Sequence, residues 1–355
     1  MKIKTLSLTN FRNWRRQDFE FSERVVIFGD NAQGKTNVLE AIFFAATTKS
    51  FRGKDQSVIT EGEDFAKIEA KLDKNTQQGS EIVFKKTESG KIEKEYRIND
   101  KIRPSIDFVG EFATVVFSPD DLLLVSGAPD IKRRYMSFTI GQNDREYLFD
   151  LLNYRRVLRQ RNELLKRAGM GTIEREIDVW DENLAEFGEK IIEKRHELEE
   201  VFNKKLSFYW RELSGEEKRV DFEYLPALWG KSLLESLAKS RERDFFDKYT
   251  NVGPHRDSWK LKINEKDVVG FASRGEYRTL ILALKLCERD FALEKKGELP
   301  VVLLDDVFSE LDMNHRRYLV EAFTGAQIII TTTDLDHLDE SFRASTQQIK
   351  VPIEE

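Results

Sequence analysis

The sequence predicts an α/β fold: a head with a mixed sheet and an antiparallel extension, interrupted by an inserted helical arm. Three observations predict it. A strand-like run, Arg24–Phe28, feeds a glycine loop and then a helix-forming stretch. A second apolar run, Val301–Leu304, ends in two aspartates. Between these two runs, residues 121–250 carry mostly helical periodicity.

Each element follows from its pattern. Leu6, Leu8 and Phe11, then Phe19 and Phe21, read as two strands of a hairpin. Arg24–Phe28 is short and β-branched, as a buried strand is. Asn37–Ala46 has helix-forming composition. Runs at 66–72, 81–84, 95–98 and 113–117 read as strands of the antiparallel extension, with turn signals at Ser89–Gly90 and Asn99–Asp100. After Pro119 the period changes. Tyr147, Leu151, Tyr154, Leu158, Leu164 and Leu165 line one face of a long helix. Leu184, Phe187, Ile191, Leu198, Val201 and Phe202 do the same on a second, and about three heptads is too short for a long coiled coil. Strand character returns at Trp259–Ile263, a helix follows at Gly275–Leu293, and buried strands follow at Val301–Leu304 and Gln327–Thr331. Residues 1–120 and 251–355 are therefore expected to form the head, and 121–250 the arm.

Composition limits the function. With 355 residues, 40% hydrophobic and 34% charged, the chain is long enough for about two domains of roughly 150 residues each. No run approaches the ~18–20 apolar residues that cross a bilayer, and the alternating N-terminus does not read as a signal peptide. A cytoplasmic protein with no membrane partner is expected. The single cysteine, Cys287, excludes an internal disulfide and a cysteine zinc site.

The loop Gly29, Asp30, Asn31, Ala32, Gln33, Gly34, Lys35, Thr36 fits GxxxxGK[ST]. Its glycines let backbone N–H groups wrap a phosphate at a helix N-terminus, Lys35 reaches the β/γ-phosphates, and the Thr36 hydroxyl ligates Mg²⁺. Asp305 stands where a Walker B acid holds Mg²⁺, and Asp306 where a carboxylate can position or deprotonate water. Each has a plainer reading, as a turn or as the cap of a strand end. Ser273 and Gly275 open the Gly275–Leu293 helix, about 30 residues before the second strand, and Ser309–Asp312 follows it. Alone, Ser273 would be an ordinary N-cap. Walker A, Ser-x-Gly, Walker B and a downstream Asp loop, in that order, resemble the ABC-type ATPase set, in which ATP is sandwiched between two heads.

Further segments resemble the RecF family along nearly the whole chain. They are Leu6 with Asn10–Asn13, Phe117–Leu122, Leu124–Arg134, Tyr154–Asn162, Gly253–Asp257 and Leu303–Asp312. The 238 residues from Lys35 to Ser273 leave room for an arm and not for the coiled coils of Rad50 or SMC proteins. The resemblance implies a Rad50-like ABC ATPase head and ATP on Gly29–Thr36, with Arg12 nearby. It implies Mg²⁺ on Thr36 and Asp305, catalytic roles for Lys35 and Asp306, and Ser273 and Gly275 on the γ-phosphate of a partner head. It further implies an ATP-dependent homodimer with weak, DNA-dependent ATPase activity. The DNA would be single-stranded or gapped duplex, the partner RecR, with RecO and RecA indirectly, and the setting DNA repair and the SOS response. The chain departs from the family at Glu276, where the signature usually carries Gln. Thr333–Asp334 stands at the switch-histidine position of transporter ATPases.

Residues 131–167 hold ten basic and four acidic residues, a net +6 in a chain of −6. Arg133, Arg134, Arg155, Arg156, Arg159 and Arg161 are the candidates for a DNA face that neutralises phosphates without reading sequence. A solvated, salt-bridged helix is the plainer reading. Two other functions fit the sequence less well. The arm and the basic cluster argue against a transporter nucleotide-binding subunit. The Ser-x-Gly signature and the lack of an Asn-Lys-x-Asp motif argue against a small-molecule kinase or GTPase.

Overall fold

The computed structural model describes residues 2–52, 57–73, 79–167 and 174–352. The elements in chain order are β1 (Ile3–Phe11), β2 (Trp14–Glu20), β3 (Arg24–Phe28), α1 (Lys35–Thr47), β4 (Phe65–Leu72), β5 (Gly79–Lys86), β6 (Ile92–Ile98) and β7 (Lys101–Arg103). Then come α2 (Ser105–Phe108), β8 (Thr114–Phe117), α3 (Leu122–Ser126), α4 (Pro129–Gly141), α5 (Arg145–Arg167), α6 (Glu174–Ser214), β9 (Val220–Leu225) and α7 (Leu233–Asp247). The last are β10 (Ser258–Ile263), β11 (Lys266–Asp267), α8 (Arg274–Lys296), β12 (Val301–Asp305), α9 (Met313–Ala322), β13 (Ile328–Thr332), α10 (Glu340–Ala344) and β14 (Gln347–Lys350).

Contacts group the chain into two compact units, Met1–Asp121 with Glu288–Glu355, and Leu122–Cys287. The expected arm ended at 250. Residues 251–287 group with it because β10 pairs antiparallel with β9 along its whole length.

The first unit holds two sheets. One is antiparallel, in the order β2-β1-β4-β5-β6-β7; the other is parallel, in the order β14-β3-β13-β12-β8. The antiparallel strands thus form a sheet of their own. The 113–117 run, read as part of that extension, joins the parallel sheet beside β12 instead. All four residues of β8 are buried, the pattern of a strand covered on both faces. α1 contacts strands of both sheets and is buried almost all round from Val38 to Thr47, which is why its sequence has no polar face. Phe44 links the layers, with its ring 6.0 Å from Phe11 and 5.3 Å from Phe84. β13 lies between β3 and β12, so the glycine loop and the two aspartates emerge at the same end of the sheet, one strand apart.

The second unit packs α5, α6 and α7 with a small sheet, β11-β10-β9. β9 interrupts a stretch read as helical. Its residues alternate in burial, a period of two that Val220-Asp-Phe-Glu-Tyr-Leu already carries. Trp259 stacks on Phe222 at 4.8 Å, and Tyr135 tilts against it at 5.7 Å. Two arginines are sunk among these elements. Arg161 donates to Asp181 at 2.6 Å and to Asp244 and Thr250 at 2.8 Å. Arg195 donates to Asp257 at 2.7 Å and to the Pro254 carbonyl at 2.8 Å. Tyr224 also bonds Asp257, and Asp257 Oδ1 accepts from the Ala227 N–H at 2.7 Å. Gly253 has φ +110, and a Cβ there would lie 2.6 Å from the Tyr154 hydroxyl. The Gly253–Asp257 segment is therefore structural within this unit.

Candidate functional site

The glycine loop is built for close approach. A Cβ on Gly29 would lie 2.0 Å from the Val351 carbonyl oxygen; one on Gly34, at φ +95, would lie 2.5 Å from the Asn13 side chain. The loop is pinned from within, since the Asp30 N–H donates to Gln33 Oε1 at 2.8 Å. Ala32 is left-handed at φ 66, and Asp30, Asn31 and Ala32 are exposed. Gly34 then caps α1, so the helix N-terminus faces the loop's interior with its N–H groups and positive dipole end.

Lys35 is 7% exposed and donates to the carbonyls of Gly29 at 2.7 Å and Asp30 at 2.8 Å. Burial pulls its pKa below that of an ordinary lysine, while Asp306, Asp305 and Asp30 pull it back up. Thr36 Oγ1 donates to Asp305 Oδ1 at 2.7 Å, and Thr331 Oγ1 donates to the same oxygen at 2.8 Å. The register explains this convergence, because Thr331 of β13 stands opposite Asp305 of β12. Burial raises the Asp305 pKa, and the bonds from Thr36 and Thr331 oppose the rise. Asp306 is left-handed at φ 51, with its N–H held at 3.1 Å by both oxygens of Thr331. A sharp turn at the strand end thus separates the roles of two adjacent carboxylates.

These groups line one cleft of about 590 Å³, together with Arg12, Asn13, Asn37 and Arg52. Arg12 is left-handed at φ 56, and its guanidinium forks onto Glu40 of α1 at 2.9 and 2.7 Å. Glu40 is fully buried, so its charge is matched by Arg12. Arg52 donates to Asn37 Oδ1 at 3.0 Å. Sequence reading placed Arg12 here but missed Arg52, Asn13, Glu40 and Thr331. Thr331, at the end of a strand already read as buried, and Asn13, within the family-like Asn10–Asn13 segment, left a signal. Lysine, arginine and main-chain N–H groups on one side, and a hydroxyl with two carboxylates on the other, suit a polyphosphate with its divalent cation.

Ser273 and Gly275 lie in the second unit, at the start of α8. Ser273 and Glu276 form a reciprocal capping box. The Ser273 N–H donates to Glu276 Oε2 at 2.8 Å, and the Glu276 N–H donates to Ser273 Oγ at 3.2 Å. A Cβ on Gly275 would meet only Ser273 Oγ, at 3.9 Å, so packing within the unit does not require glycine there. In the first unit, Asp334 accepts from the Asp336 N–H at 2.9 Å and so caps the turn that follows it.

The basic cluster divides. Arg155, Arg156 and Arg159 are exposed on α5, with Arg155 and Arg159 one turn apart. Arg134 is exposed on α4. Arg133 is half-buried and donates to the Asp257 carbonyl at 3.1 Å. Arg161 is fully buried between Asp181 and Asp244, so the expectation that it binds DNA is corrected: its charge is spent inside the unit. Among the described residues no helix is long and apolar enough to cross a membrane.

The family described as RecF/RecN/SMC N terminal domain matches residues 2–352. A DNA replication and repair protein RecF from Lachnoclostridium phytofermentans is 36% identical over 341 residues, covering 95% of this chain and 94% of the relative. A solved structure described as the recombination mediator protein RecF–ATP in the RecFOR pathway superposes with a TM-score of 0.86 at 34% identity, covering 95% of this chain and 93% of that one. The Smc head domain of Pyrococcus furiosus, at 17% identity and a TM-score of 0.50, shares the fold. The architecture is that of an ABC-type ATPase head with an inserted helical region.

Proposed function

The chain belongs to the RecF family of DNA replication and repair proteins, and from that premise we propose that it is an ATP-dependent DNA-binding protein whose two copies close on each other around bound ATP. The observation that carries this reading is the convergence of Thr36 and Thr331 on Asp305 beside Lys35 in one cleft. ATP occupies that cleft. Lys35 exchanges two neutral carbonyl acceptors for phosphate oxygens, a gain in charge-assisted bonding. The N–H groups of Gly29–Thr36 and the start of α1 hold the remaining oxygens. Thr36 and Asp305 would hold Mg²⁺, which neutralises phosphate charge when bound. Asp306, on its left-handed turn, orients water and takes its proton, and hydrolysis reopens the pair.

Ser273 and Gly275 of one copy meet the γ-phosphate held by the other. The missing packing reason for Gly275 supports this, because nothing inside the unit requires a glycine in the first turn of α8. Arg155, Arg156 and Arg159, with Arg134, supply the surface for single-stranded or gapped duplex DNA, bound through phosphates. RecR is the direct partner, with RecO and RecA downstream, at gaps in the cytoplasm and in the SOS response. The transporter reading is set aside, since the chain belongs to a DNA repair family. Replacing Ser273 by Arg puts a bulky side chain where the γ-phosphate would sit. Sedimentation with Mg-ATP should then show wild type pairing and Ser273→Arg remaining single; equal pairing of both would remove the in-trans role.

A further inference from the structure

We propose that Glu276 is a positioning residue that keeps the Ser273 segment closed on itself and makes ATP-driven pairing of two copies weaker than it would otherwise be, with Lys218 setting how much weaker. The inference rests on the in-trans role of Ser273 proposed above. Three observations carry it. The Ser273 N–H, one of the main-chain donors at the start of α8, is already bonded to Glu276 Oε2 at 2.8 Å. Its acceptor is a charged carboxylate, while the Lys35 acceptors on the other half of the reaction are neutral carbonyls. An arriving triphosphate therefore competes with a like charge for the same donor.

The second observation is Lys218, whose ammonium lies 3.2 Å from the other oxygen, Glu276 Oε1. Lys218 also pairs with Glu216 at 2.6 Å and lies 5.7 Å from the centre of the Trp210 ring. It is tethered in place and partly cancels the charge of Glu276. The Ser273 N–H, and then Lys218, hold the Glu276 carboxyl below the usual carboxylate range, so it is ionised at neutral pH. The third is Gly275, one residue before Glu276, where the missing side chain leaves the backbone open to approach.

The residues then have opposite effects. Glu276→Gln retains an oxygen for the Ser273 N–H but loses the charge. Lys218→Ala retains the charge but loses its counter-ion. The test measures the pairing constant in Mg-ATP by sedimentation for wild type, both single variants and the double variant, with thermal unfolding as a check that each folds. Glu276→Gln is expected to pair about tenfold more tightly and Lys218→Ala about threefold more weakly. Lys218→Ala is expected to have no effect once Glu276 is Gln. A residue acting only as a helix cap would give neither opposite signs nor that dependence. Glu276→Gln pairing no more tightly than wild type, or both variants shifting pairing the same way, would overturn the proposal. Failure of wild type and every variant to pair in ATP would instead overturn the in-trans reading beneath it.

Discussion

The two units hold their cations in opposite ways. In the nucleotide cleft, Lys35 rests on the carbonyls of its own loop and Arg52 on the amide of Asn37. These hydrogen-bond partners are neutral, and a polyanion displaces them easily; Arg52 has a carboxylate only at 4.0 Å, in Glu40. In the helical unit, Arg161 and Arg195 are buried against carboxylates that already match their charge. Arg12 carries the second arrangement into the cleft, since its fork onto Glu40 orders the wall and leaves little charge for a ligand. The presence of a basic residue thus says less about ligand binding than whether an acid in the same unit has already claimed it.

The largest expected effect breaks the buried side of this comparison. Arg161→Ala leaves Asp244 buried without its cation and Asp181 with Arg241 alone, at a cost of about 3 kcal/mol. Thermal unfolding should fall by about 10 °C. An unchanged melt would mean that this pairing does not hold the unit together.

The next tests the open side. Lys35→Met removes a charged donor whose bonds to phosphate are worth about 3 kcal/mol, so ATP affinity by calorimetry should drop about 100-fold. The melt should move by no more than a few degrees, because only two loop carbonyls lose a partner. A large loss of stability with binding retained would reverse the assignment.

The smallest effect concerns the exposed arginines. Glu at both Arg155 and Arg159 should reduce the slope of log affinity against log salt for duplex DNA by about 2 and leave the melt in place. An unchanged slope would place the DNA surface elsewhere.

How much of this was legible in the sequence depends on how local the cause is. The glycine loop, α1 and the strand of Asp305 were legible because their patterns lie in short windows. The parallel placement of β8 was not, because a fully apolar run does not say which sheet will cover it. The fate of Arg161 was not legible either. It follows Arg155 and Arg159 at close spacing, yet its acids come from positions 181 and 244, on helices whose approach no local pattern encodes. Thr331 and Arg52 reach the cleft through sheet register and a loop, again from a distance. Glu276 stands out in the sequence as a departure from the family's usual Gln; its Ser-x-x-Glu spacing from Ser273 also spells a capping box, and the geometry adds that both halves are made and that Lys218 sits on its other oxygen.

The central claim is that ATP joins two copies of the chain. The most direct measurement is the solution mass of Asp306→Asn by light scattering, with and without Mg-ATP and gapped duplex DNA. The account predicts a monomer without nucleotide, a dimer in Mg-ATP, and a larger dimer fraction when gapped DNA is added. A monomer under every condition, with ATP demonstrably bound, would contradict it.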